Sequence, residues 1–561
     1  MKCHRLVLLV LFFAAQKGLL TAADTNFFPV GIQVYANRPI GEWKPIWRFF
    51  GADEPNCATL PDGRKLLGEL GQLAPNNVYF RTHNLLNSGD GTPALKWGST
   101  GVYAEDAQGQ PVYSWTILDR IFDTYRACGV RPYVEIGFMP EALSIKPEPY
   151  QHHWTPKARY GEIFTGWAYP PKDYAKWSEL VFQWATHDVE RYGRDEVANW
   201  YWETWNEANI GYWQGKPDEF FRLHDCAVDA VRRALPAAKV GGPDSAGAGV
   251  FLRRFIEHCL QGTNFVTGQI GTPIDFVSFH AKGAPVFTND HVRMGIANQL
   301  RDINSGFRIV SSFRELKDTP IVIGESDPDG CAACQAPQLG YRNEPVYACY
   351  TVECLAREFE LANRYGVNHE GALTWAFEFE DQPPFAGFRT LASDGIDLPV
   401  LNAFRMLSRM GGQRLAVESD NAVSLDSILR SGVRAQPDVS ALANLASNRL
   451  CVLVWHYHDD DMAGPAADVN LTLAGLPAEI KKAKARHFRI DAEHSDAFTV
   501  WQRMGSPLTP TVKQYAELEK AGQLAELGRP ETIRFRNGRM VLKFNLPREA
   551  VSLLVIEWQG P

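Results

Sequence analysis

Eight short apolar runs, separated by segments in which apolar residues recur at helical spacing, constrain the fold of this chain most. Parallel strands need a long crossover between them, usually a helix, so this alternation is typical of βα units in a parallel sheet. The predicted strands cover residues 29–35, 77–83, 131–138, 199–207, 239–243, 275–280, 320–325 and 372–378. Eight units are the number that closes a (β/α)8 TIM barrel, so we expect an α/β barrel.

The segments between the runs favour amphipathic helices. Residues 115–128 place Ile117, Ile121 and Phe122 near helical spacing, which gives the helix one apolar face. The same pattern recurs at residues 171–191, 217–235 and 346–365. Strands and helices together predict a barrel domain over residues 24–409.

The pattern changes after residue 409, where Gly411 and Gly412 interrupt the chain. The following segments alternate apolar and polar residues, which is the period of strands with one buried face. They cover residues 450–457, 468–473, 485–490, 531–535, 539–546 and 551–558, with a helix predicted at 512–527. We therefore expect an antiparallel β-sandwich over residues 410–561. A chain of 561 residues is also too long for one compact core, which supports two domains.

Charge and the N-terminal segment limit the partners and the compartment. The formal net charge of −8 and the lack of a basic run argue against a nucleic-acid partner. Residues 1–23 have the features of a signal peptide: Lys2 and Arg5 precede an apolar run at 6–15, and small residues at 21–23 offer a cleavage site. The run is too short to span a bilayer. We expect a secreted or periplasmic protein that has no membrane association after cleavage.

The cysteines indicate a local disulfide. Of the 10 cysteines, Cys3 lies in the predicted signal peptide, so the mature chain keeps an odd number and at least one thiol is free or paired between chains. Cys331 and Cys334 form a C-x-x-C pair, which could be half of a zinc site, but the sequence offers no second pair. In an exported chain a disulfide is the favoured interpretation. We therefore expect neither a metal nor a cofactor.

Two glutamates stand at the ends of predicted strands on opposite sides of the barrel. Glu207 ends the fourth strand and Glu325 ends the seventh, after the apolar runs 200–202 and 321–323. The carboxyl ends of barrel strands carry the catalytic groups in this fold. Hydrolysis of a glycosidic bond needs one protonated and one ionised carboxyl group facing each other. We therefore predict that Glu207 and Glu325 are catalytic; the alternative is a pair of ordinary solvated glutamates.

Further polar and aromatic side chains lie at the same strand ends. His83 ends the second strand, and His280 ends the sixth with Lys282 two residues later. Residues two apart in an extended strand project to the same side, so His280 and Lys282 are expected to face the mouth together. Trp375 and Glu378 belong to the eighth strand. The alternative for both histidines is a hydrogen-bonded structural role.

Several motifs together resemble glycoside hydrolase family 39. WETWNE at residues 202–207 is similar to the acid/base motif of clan A glycosidases, in which Asn precedes the acid/base Glu. GFMPEAL at 137–143 resembles a third-strand segment of the family's β-xylosidases. GGP at 241–243, RID at 489–491 and GSP at 505–507 are similar to both its β-xylosidases and its α-L-iduronidases. The likeness covers nearly the whole mature chain.

The resemblance implies roles for individual residues. Glu207 becomes the acid/base and Glu325 the nucleophile of a retaining mechanism, in which a covalent glycosyl-enzyme forms on Glu325. Asn206 is expected to bind the hydroxyl beside the anomeric carbon, and His83 a hydroxyl of the sugar ring. The residues expected to bind the glycoside or oligosaccharide substrate are His83, Asn206, His280, Lys282, Trp375, Glu378 and Arg389.

The motifs point to two branches of the family. HAKGA at 280–284, ESDP at 325–328 and PFAGFRTL at 384–391 resemble the α-L-iduronidases, in which the cations matching Lys282 and Arg389 hold the carboxylate of the sugar. The usual Asn-Glu-Pro is also replaced here by Asn-Glu-Ala at residues 206–208. Alternatively, Lys282 pairs with one of the loop acids and leaves a neutral pentose as substrate. Those acids are Glu378, Glu380 and Asp381.

Three hypotheses of function follow. The first is an exo-acting β-xylosidase-like enzyme that releases single sugars from plant-type oligosaccharides. The second keeps the mechanism but changes the sugar to a uronic acid such as L-iduronate, or to an arabinose unit. The third is a non-catalytic carbohydrate-binding protein. The paired glutamates argue against the third, because binding alone needs no opposed carboxylates.

Overall fold

The computed structural model describes residues 27–559, and the predicted signal peptide at residues 1–23 lies outside them. Eight parallel strands close into a barrel with helices around it, and ten further strands form a second, mostly antiparallel sheet. The α/β barrel followed by a β-rich domain, as predicted from sequence, is confirmed. Among the described residues no helix is long and apolar enough to cross a membrane.

The barrel strands alternate with helices as expected of βα units. The strands are Phe49–Ala52, Val78–Thr82, Val130–Glu135, Tyr201–Glu203, Lys239–Ser245, Val277–Lys282, Ile321–Asp327 and His369–Thr374. The outer helices that follow them are Pro61–Leu73, Thr116–Ala127, Tyr174–Tyr192, Pro217–Ala234, Val250–Gln261, Ile296–Ser311, Pro345–Tyr365 and Pro399–Leu407. The first strand pairs with both the second and the eighth, which closes the ring.

The first barrel strand differs from the prediction. Residues 29–35 were expected to form it, and this is wrong: they belong to Phe27–Glu42, which lies in the second sheet between Gln413–Ser419 and Ala466–Ala474. Buried side chains in that strand alternate with partly exposed ones, as in a sheet with one buried face. Every residue of Phe49–Ala52 is buried, as a barrel strand requires. The chain therefore begins in the second sheet, builds the barrel and then returns.

The second sheet encloses a core of its own. Its strands are Phe27–Glu42, Gln413–Ser419, Asp438–Ala446, Arg449–Tyr457, Ala466–Ala474, Lys482–Ile490, Ala525–Glu526, Glu531–Arg534, Met540–Leu546 and Val551–Glu557. Neighbours pair antiparallel, except that the N-terminal strand runs parallel to the one that begins at Ala466. Leu471 and Leu554 come from strands far apart in the order but share one buried apolar cluster, so the sheet wraps around that cluster. Short helices in its connections are Leu425–Ser431, Ala497–Arg503 and Val512–Gly522.

Aromatic side chains fill the barrel below its carboxyl end. They form one buried cluster that includes Phe49, Tyr79, Tyr133, Tyr201 and Phe276. Their rings pack against each other, with centroids 5.0 Å apart for Tyr79 and Tyr201 and 5.3 Å apart for Tyr133 and Tyr201. This layer is a closed floor, so polar groups placed above it are reached only from the carboxyl end of the strands.

Candidate active site

Charged residues occupy the inward positions directly above the aromatic floor. Arg81, Glu135 and Glu203 each follow a floor tyrosine by two residues, which puts them on the same face of their strands. Arg81 is fully buried, and its Nη2 lies 2.7 Å from Glu203, 3.0 Å from Glu135 and 2.8 Å from Asp244. It also donates to Asn206 Oδ1 at 3.0 Å. A buried guanidinium is tolerated only when it is paired, so these acids fix Arg81 at the centre of the barrel.

The surroundings shift the pKa values of Glu203 and Asp244 in different ways. Burial raises the pKa of Glu203 well above its usual range, and the neighbouring charge of Asp244 adds to this effect. Burial acts on Asp244 in the same direction, but the positive charges of Arg81 and His280 outweigh it and bring its pKa below the usual range. The pKa values of these two neighbouring carboxyl groups are thus shifted in opposite directions, and Asp244 is the one that carries a negative charge toward His280.

Glu325 is held as a carboxylate. Its Oε2 lies 2.6 Å from Lys282 Nζ, and its Oε1 lies 3.4 Å from Arg81 Nη1 and 3.7 Å from His280 Nδ1. Burial alone would raise the pKa of Glu325, but the charges of His280, Lys282 and Arg81 lower it to about 2. The side chain stays ionised across the physiological range, as a nucleophile must.

Glu207 has an unusual backbone conformation, and its side chain reaches His280 beside Glu325. Its φ of 44° lies in the left-handed region, which is uncommon for a residue other than glycine and is found where function demands it. Its backbone N–H donates to Asp244 O at 2.9 Å, which anchors the turn after the fourth strand. The Glu207 side chain is 13% exposed, against 8% for Glu325. Glu207 is therefore slightly more exposed than Glu325.

His280 bridges the two glutamates. Its Nδ1 is 2.8 Å from Glu207 Oε1 and 3.7 Å from Glu325 Oε1, while its Nε2 is 3.3 Å from Asp244 Oδ2. Burial would lower the pKa of His280, but Glu325 and Asp244 raise it to about 10, so both ring nitrogens carry protons. The sum of the two Nδ1 distances is the upper limit for the distance between Glu207 Oε1 and Glu325 Oε1. This upper limit lies only at the lower end of the roughly 6.5–9.5 Å that separates the two carboxyl groups of inverting glycosidases.

A small cavity opens above these residues. Trp375 stands over His83 with ring centroids 4.3 Å apart and offers an apolar face. The residues that line the cavity are Asp53, His83, Lys96, Tyr160, Glu207, Tyr212, Glu325, Gly330, Ala332 and Trp375. The structure thus brings together Glu207, Glu325, His83 and Trp375 of the residues that the sequence indicates.

Sequence reasoning missed six of the ten lining residues, and the signals for the four that have polar side chains are uneven. Asp53 directly follows the first barrel strand, so a correct assignment of that strand would have exposed it. Lys96, Tyr160 and Tyr212 come from loops after the second, third and fourth strands. The Tyr160 and Tyr212 hydroxyls lie 2.8 Å apart and join two of these loops. Only tertiary structure brings such loop residues together.

Lys282 lies against the strand of Glu325. The sixth and seventh strands are neighbours and pair Lys282 with Asp327, so the ammonium group reaches both Glu325 and Asp327. Its ion-pair partners are these two carboxylates. The alternative considered from sequence, in which Lys282 pairs with one of the loop acids Glu378, Glu380 and Asp381, is therefore wrong.

Arg389 and Glu378 are buried beside the cavity and do not line it. Arg389 Nη1 lies 2.7 Å from Asp329 Oδ1, and its Nε donates to Trp375 O at 3.0 Å. Glu378 accepts a hydrogen bond from Gly395 N at 2.8 Å, and burial raises its pKa to about 8. Arg389 thus supports the loop that carries Trp375. The binding of substrate by Arg389 and Glu378 stays a prediction.

The seventh loop forms one wall of the cavity. Cys331 and Cys334 are joined by a disulfide there, which confirms the predicted local cross-link. Arg342 is buried under the loop and donates to the carbonyl oxygens of Cys331 at 2.6 Å and Cys334 at 2.7 Å. Ala332, between the two cysteines, lines the cavity. The cross-link and the arginine together hold this wall in place.

The likeness of this chain to known proteins extends over most of its length. The family model of the glycosyl hydrolases family 39 matches residues 30–537. A beta-xylosidase from Caldicellulosiruptor saccharolyticus is 25% identical over 506 residues, which covers 88% of this chain and 91% of that protein. An alpha-L-iduronidase from Mus musculus is 27% identical over 580 residues, which covers 98% of this chain and 83% of that protein.

A solved structure shares the fold. The monomeric beta-xylosidase from Caulobacter crescentus CB15 superposes with a TM-score of 0.73 at 21% sequence identity. The match covers 94% of this chain and 100% of that chain. The barrel and the second sheet therefore occur together in that protein as well.

Proposed function

The chain belongs to the glycosyl hydrolases family 39 and is a glycoside hydrolase, and from this premise we propose that it is a retaining exo-glycosidase that releases a neutral pentose, above all β-D-xylose. In this proposal Glu325 is the nucleophile and Glu207 the acid/base. The observation that carries it is the bridge through His280, which brings an ionised carboxylate and a more exposed one within reach of one anomeric carbon.

The proposed reaction proceeds by double displacement. A Glu325 oxygen attacks the anomeric carbon while the bond to the leaving oxygen breaks, and that oxygen takes a proton from Glu207. Water then attacks the same carbon, gives its proton to Glu207 and displaces Glu325. Two inversions return the original configuration. Lys282 and Arg81 keep Glu325 ionised before the attack, and His280 holds both carboxyl groups in register.

The charges around the cavity favour a neutral sugar. Lys282 is paired with Glu325 and Asp327, and Lys96 is paired with Asp53. A uronic acid would add a further carboxylate to a cavity in which the charge of each lysine is already balanced by a carboxylate. Two negative charges within so small a cavity repel each other strongly at a site this well shielded from water. We therefore place β-D-xylosides ahead of α-L-iduronides as substrates.

A panel of aryl glycosides tests the substrate. The panel contains the β-D-xyloside, α-L-arabinofuranoside, α-L-arabinopyranoside, β-D-glucoside and α-L-iduronide. We expect the highest kcat/KM on the β-D-xyloside and no measurable release from the iduronide. A higher kcat/KM on the iduronide would replace the neutral pentose by a uronate. Hydrolysis of none of the five would leave the proposed substrate without support.

Replacement of Lys282 by alanine probes the state of Glu325. Loss of the ammonium group should raise the pKa of Glu325, because one of the charges that lower it is gone. The nucleophile works only when ionised, so the acid limb of kcat/KM on the β-D-xyloside should move to higher pH, with a larger fractional loss at pH 5 than at pH 7. Lys172→Ala is the control, because Lys172 is exposed and pairs with Glu105 instead. An unchanged acid limb, or a loss confined to the iduronide, would contradict this role.

We also propose that the protein is exported, on the basis of the signal-peptide features in residues 1–23. N-terminal sequencing of the protein recovered outside the cytoplasm should begin near residue 24. A mature protein that retains Met1 would contradict export by this route.

A further inference from the structure

We propose that Asp53 and Lys96 form a recognition pair within the cavity that binds two adjacent hydroxyl groups of the sugar, at the end of the ring remote from the anomeric carbon. The inference rests on the proposed function. It names the part of the substrate that decides acceptance: the free hydroxyls at carbons 3 and 4 of a non-reducing-end pyranose. Cleavage of the glycosidic bond remains the role of Glu207 and Glu325.

The pair lies one sugar ring away from the nucleophile. His83 connects the two places: its Nε2 is 3.8 Å from Glu325 Oε1, and its Nδ1 is 2.7 Å from Asp53 Oδ1. Lys96 Nζ lies 3.1 Å from the other oxygen of this carboxylate, Asp53 Oδ2. Asp53, His83 and Lys96 all line the same cavity as Glu207 and Glu325. A pyranose with its anomeric carbon at Glu325 therefore extends along this wall toward Lys96.

Both members of the pair are charged although they are buried. The side chains of Lys96 and Asp53 are only 4% and 7% exposed. Burial would lower the pKa of Lys96, but Asp53 raises it above its usual range; burial would raise the pKa of Asp53, but Lys96 and His83 bring it below its usual range. The pair is therefore an ammonium–carboxylate couple without net charge, which suits a neutral polyol.

The backbone at Lys96 is shaped to deliver this side chain. Its φ of 54° lies in the left-handed region, where a long side chain is uncommon. Glu54 accepts a hydrogen bond from Lys96 N at 2.5 Å, and His152 Nε2 lies 2.9 Å from Lys96 O, so the turn is pinned on both sides. The ammonium group also lies 5.2 Å from the centre of the Tyr160 ring. A strained backbone and a buried charge are both unfavourable for folding, and they occur together at a residue that faces the cavity.

The chemistry of the pair matches a vicinal diol. An ammonium group has three donors, and the bond to Asp53 uses one of them. Each Asp53 oxygen has a second lone pair beyond its contact with His83 or Lys96. One sugar hydroxyl can therefore donate to Asp53 while its neighbour accepts from Lys96. An oligosaccharide unit that is substituted at either hydroxyl lacks this fit, which restricts cleavage to the terminal sugar.

The test compares an aryl β-D-xyloside with its 3-deoxy and 4-deoxy analogues. A site built to hydrogen-bond a substrate hydroxyl rejects the analogue without it, because its own buried polar groups are left unpaired. For the native enzyme we expect kcat/KM to fall by at least about 100-fold on one or both deoxy substrates. In Lys96→Met the preference for the parent xyloside should shrink to below about tenfold. Lys172→Met, at an exposed position, should keep the native preference.

The outcomes separate this inference from the proposed function. Native enzyme that hydrolyses the parent and both deoxy substrates equally well overturns the inference and leaves the glycosidase proposal standing. An equal loss on all three substrates in Lys96→Met also overturns it, because that pattern indicates a structural role. If Lys96→Met does not fold, the deoxy series with native enzyme decides the matter alone. If native enzyme cleaves no glycoside in the panel, the proposed function fails and the inference fails with it.

Discussion

Replacement of Glu325 by glycine is expected to lower kcat on an aryl β-D-xyloside by roughly 10⁴- to 10⁶-fold, the scale of losing a catalytic nucleophile. Azide should restore turnover, because the anion fits the space that the carboxylate leaves beside Lys282 and Arg81. The azide nitrogen then attacks the anomeric carbon in one displacement while the aryl oxide departs. The product should be the α-xylosyl azide, inverted relative to the substrate.

Glu325→Gln is the matched control for this rescue. The amide also lacks the nucleophilic carboxylate, so the loss of turnover should be similar, but it fills the space that azide needs. We therefore expect no azide product from this variant. Normal turnover by Glu325→Gly without azide, or a β-configured azide product, would show that another group attacks the sugar.

Replacement of Glu207 by alanine should produce a loss that depends on the leaving group. A phenyl β-D-xyloside needs a proton on its departing oxygen, so kcat/KM should fall by roughly 10²- to 10⁴-fold. A 2,4-dinitrophenyl β-D-xyloside departs without that proton, and its kcat/KM should change by less than about tenfold. Azide should again accelerate turnover, now by attack on the glycosyl-enzyme, and give the β-xylosyl azide.

The two azide products distinguish the two glutamates. Glu325→Gly yields one inversion and Glu207→Ala yields two, so their azides should have opposite configurations. An equal loss on both aryl xylosides in Glu207→Ala would contradict an acid/base role, because protonation would then not matter. The folded state of each variant is checked by its thermal unfolding midpoint against the native enzyme.

The proposed catalytic pair could be predicted from sequence because each glutamate closely follows an apolar run with a strong local signal. Glu207 follows Trp200, Tyr201 and Trp202, and Glu325 closes an apolar run. The barrel fixes where its strands end, so local recognition of a strand was enough to place the residues near its carboxyl end. His83 and Trp375 were found in the same way, because each directly follows a barrel strand.

The first barrel strand could not be identified so readily. Phe49–Ala52 has only four residues, which is short for a pattern, whereas the longer alternating strand Phe27–Glu42 offers a stronger signal nearby. The error hid Asp53, because that residue is functional only by its position at the end of the true strand. Lys96 was hidden for another reason: its loop gives no periodic pattern, and its role depends on a partner 43 positions away.

The buried charge network had a local signal that was not used. Arg81, Glu135 and Glu203 lie inside or at the end of largely buried barrel strands, each two residues after a tyrosine. A charged residue on the inward face of a buried strand is unfavourable unless it has a partner inside the barrel. Charges of both signs at such positions therefore predict a paired network, although only the structure shows that Asp244 completes it.

The configuration of the first product tests the central claim most directly. Native enzyme is mixed with an aryl β-D-xyloside, and the anomeric protons are followed by NMR before the free sugar equilibrates. Double displacement through Glu325 predicts that β-xylose appears first and that α-xylose grows only by mutarotation. The appearance of α-xylose first would mean a single displacement by water, and would contradict the roles of Glu325 as nucleophile and Glu207 as acid/base.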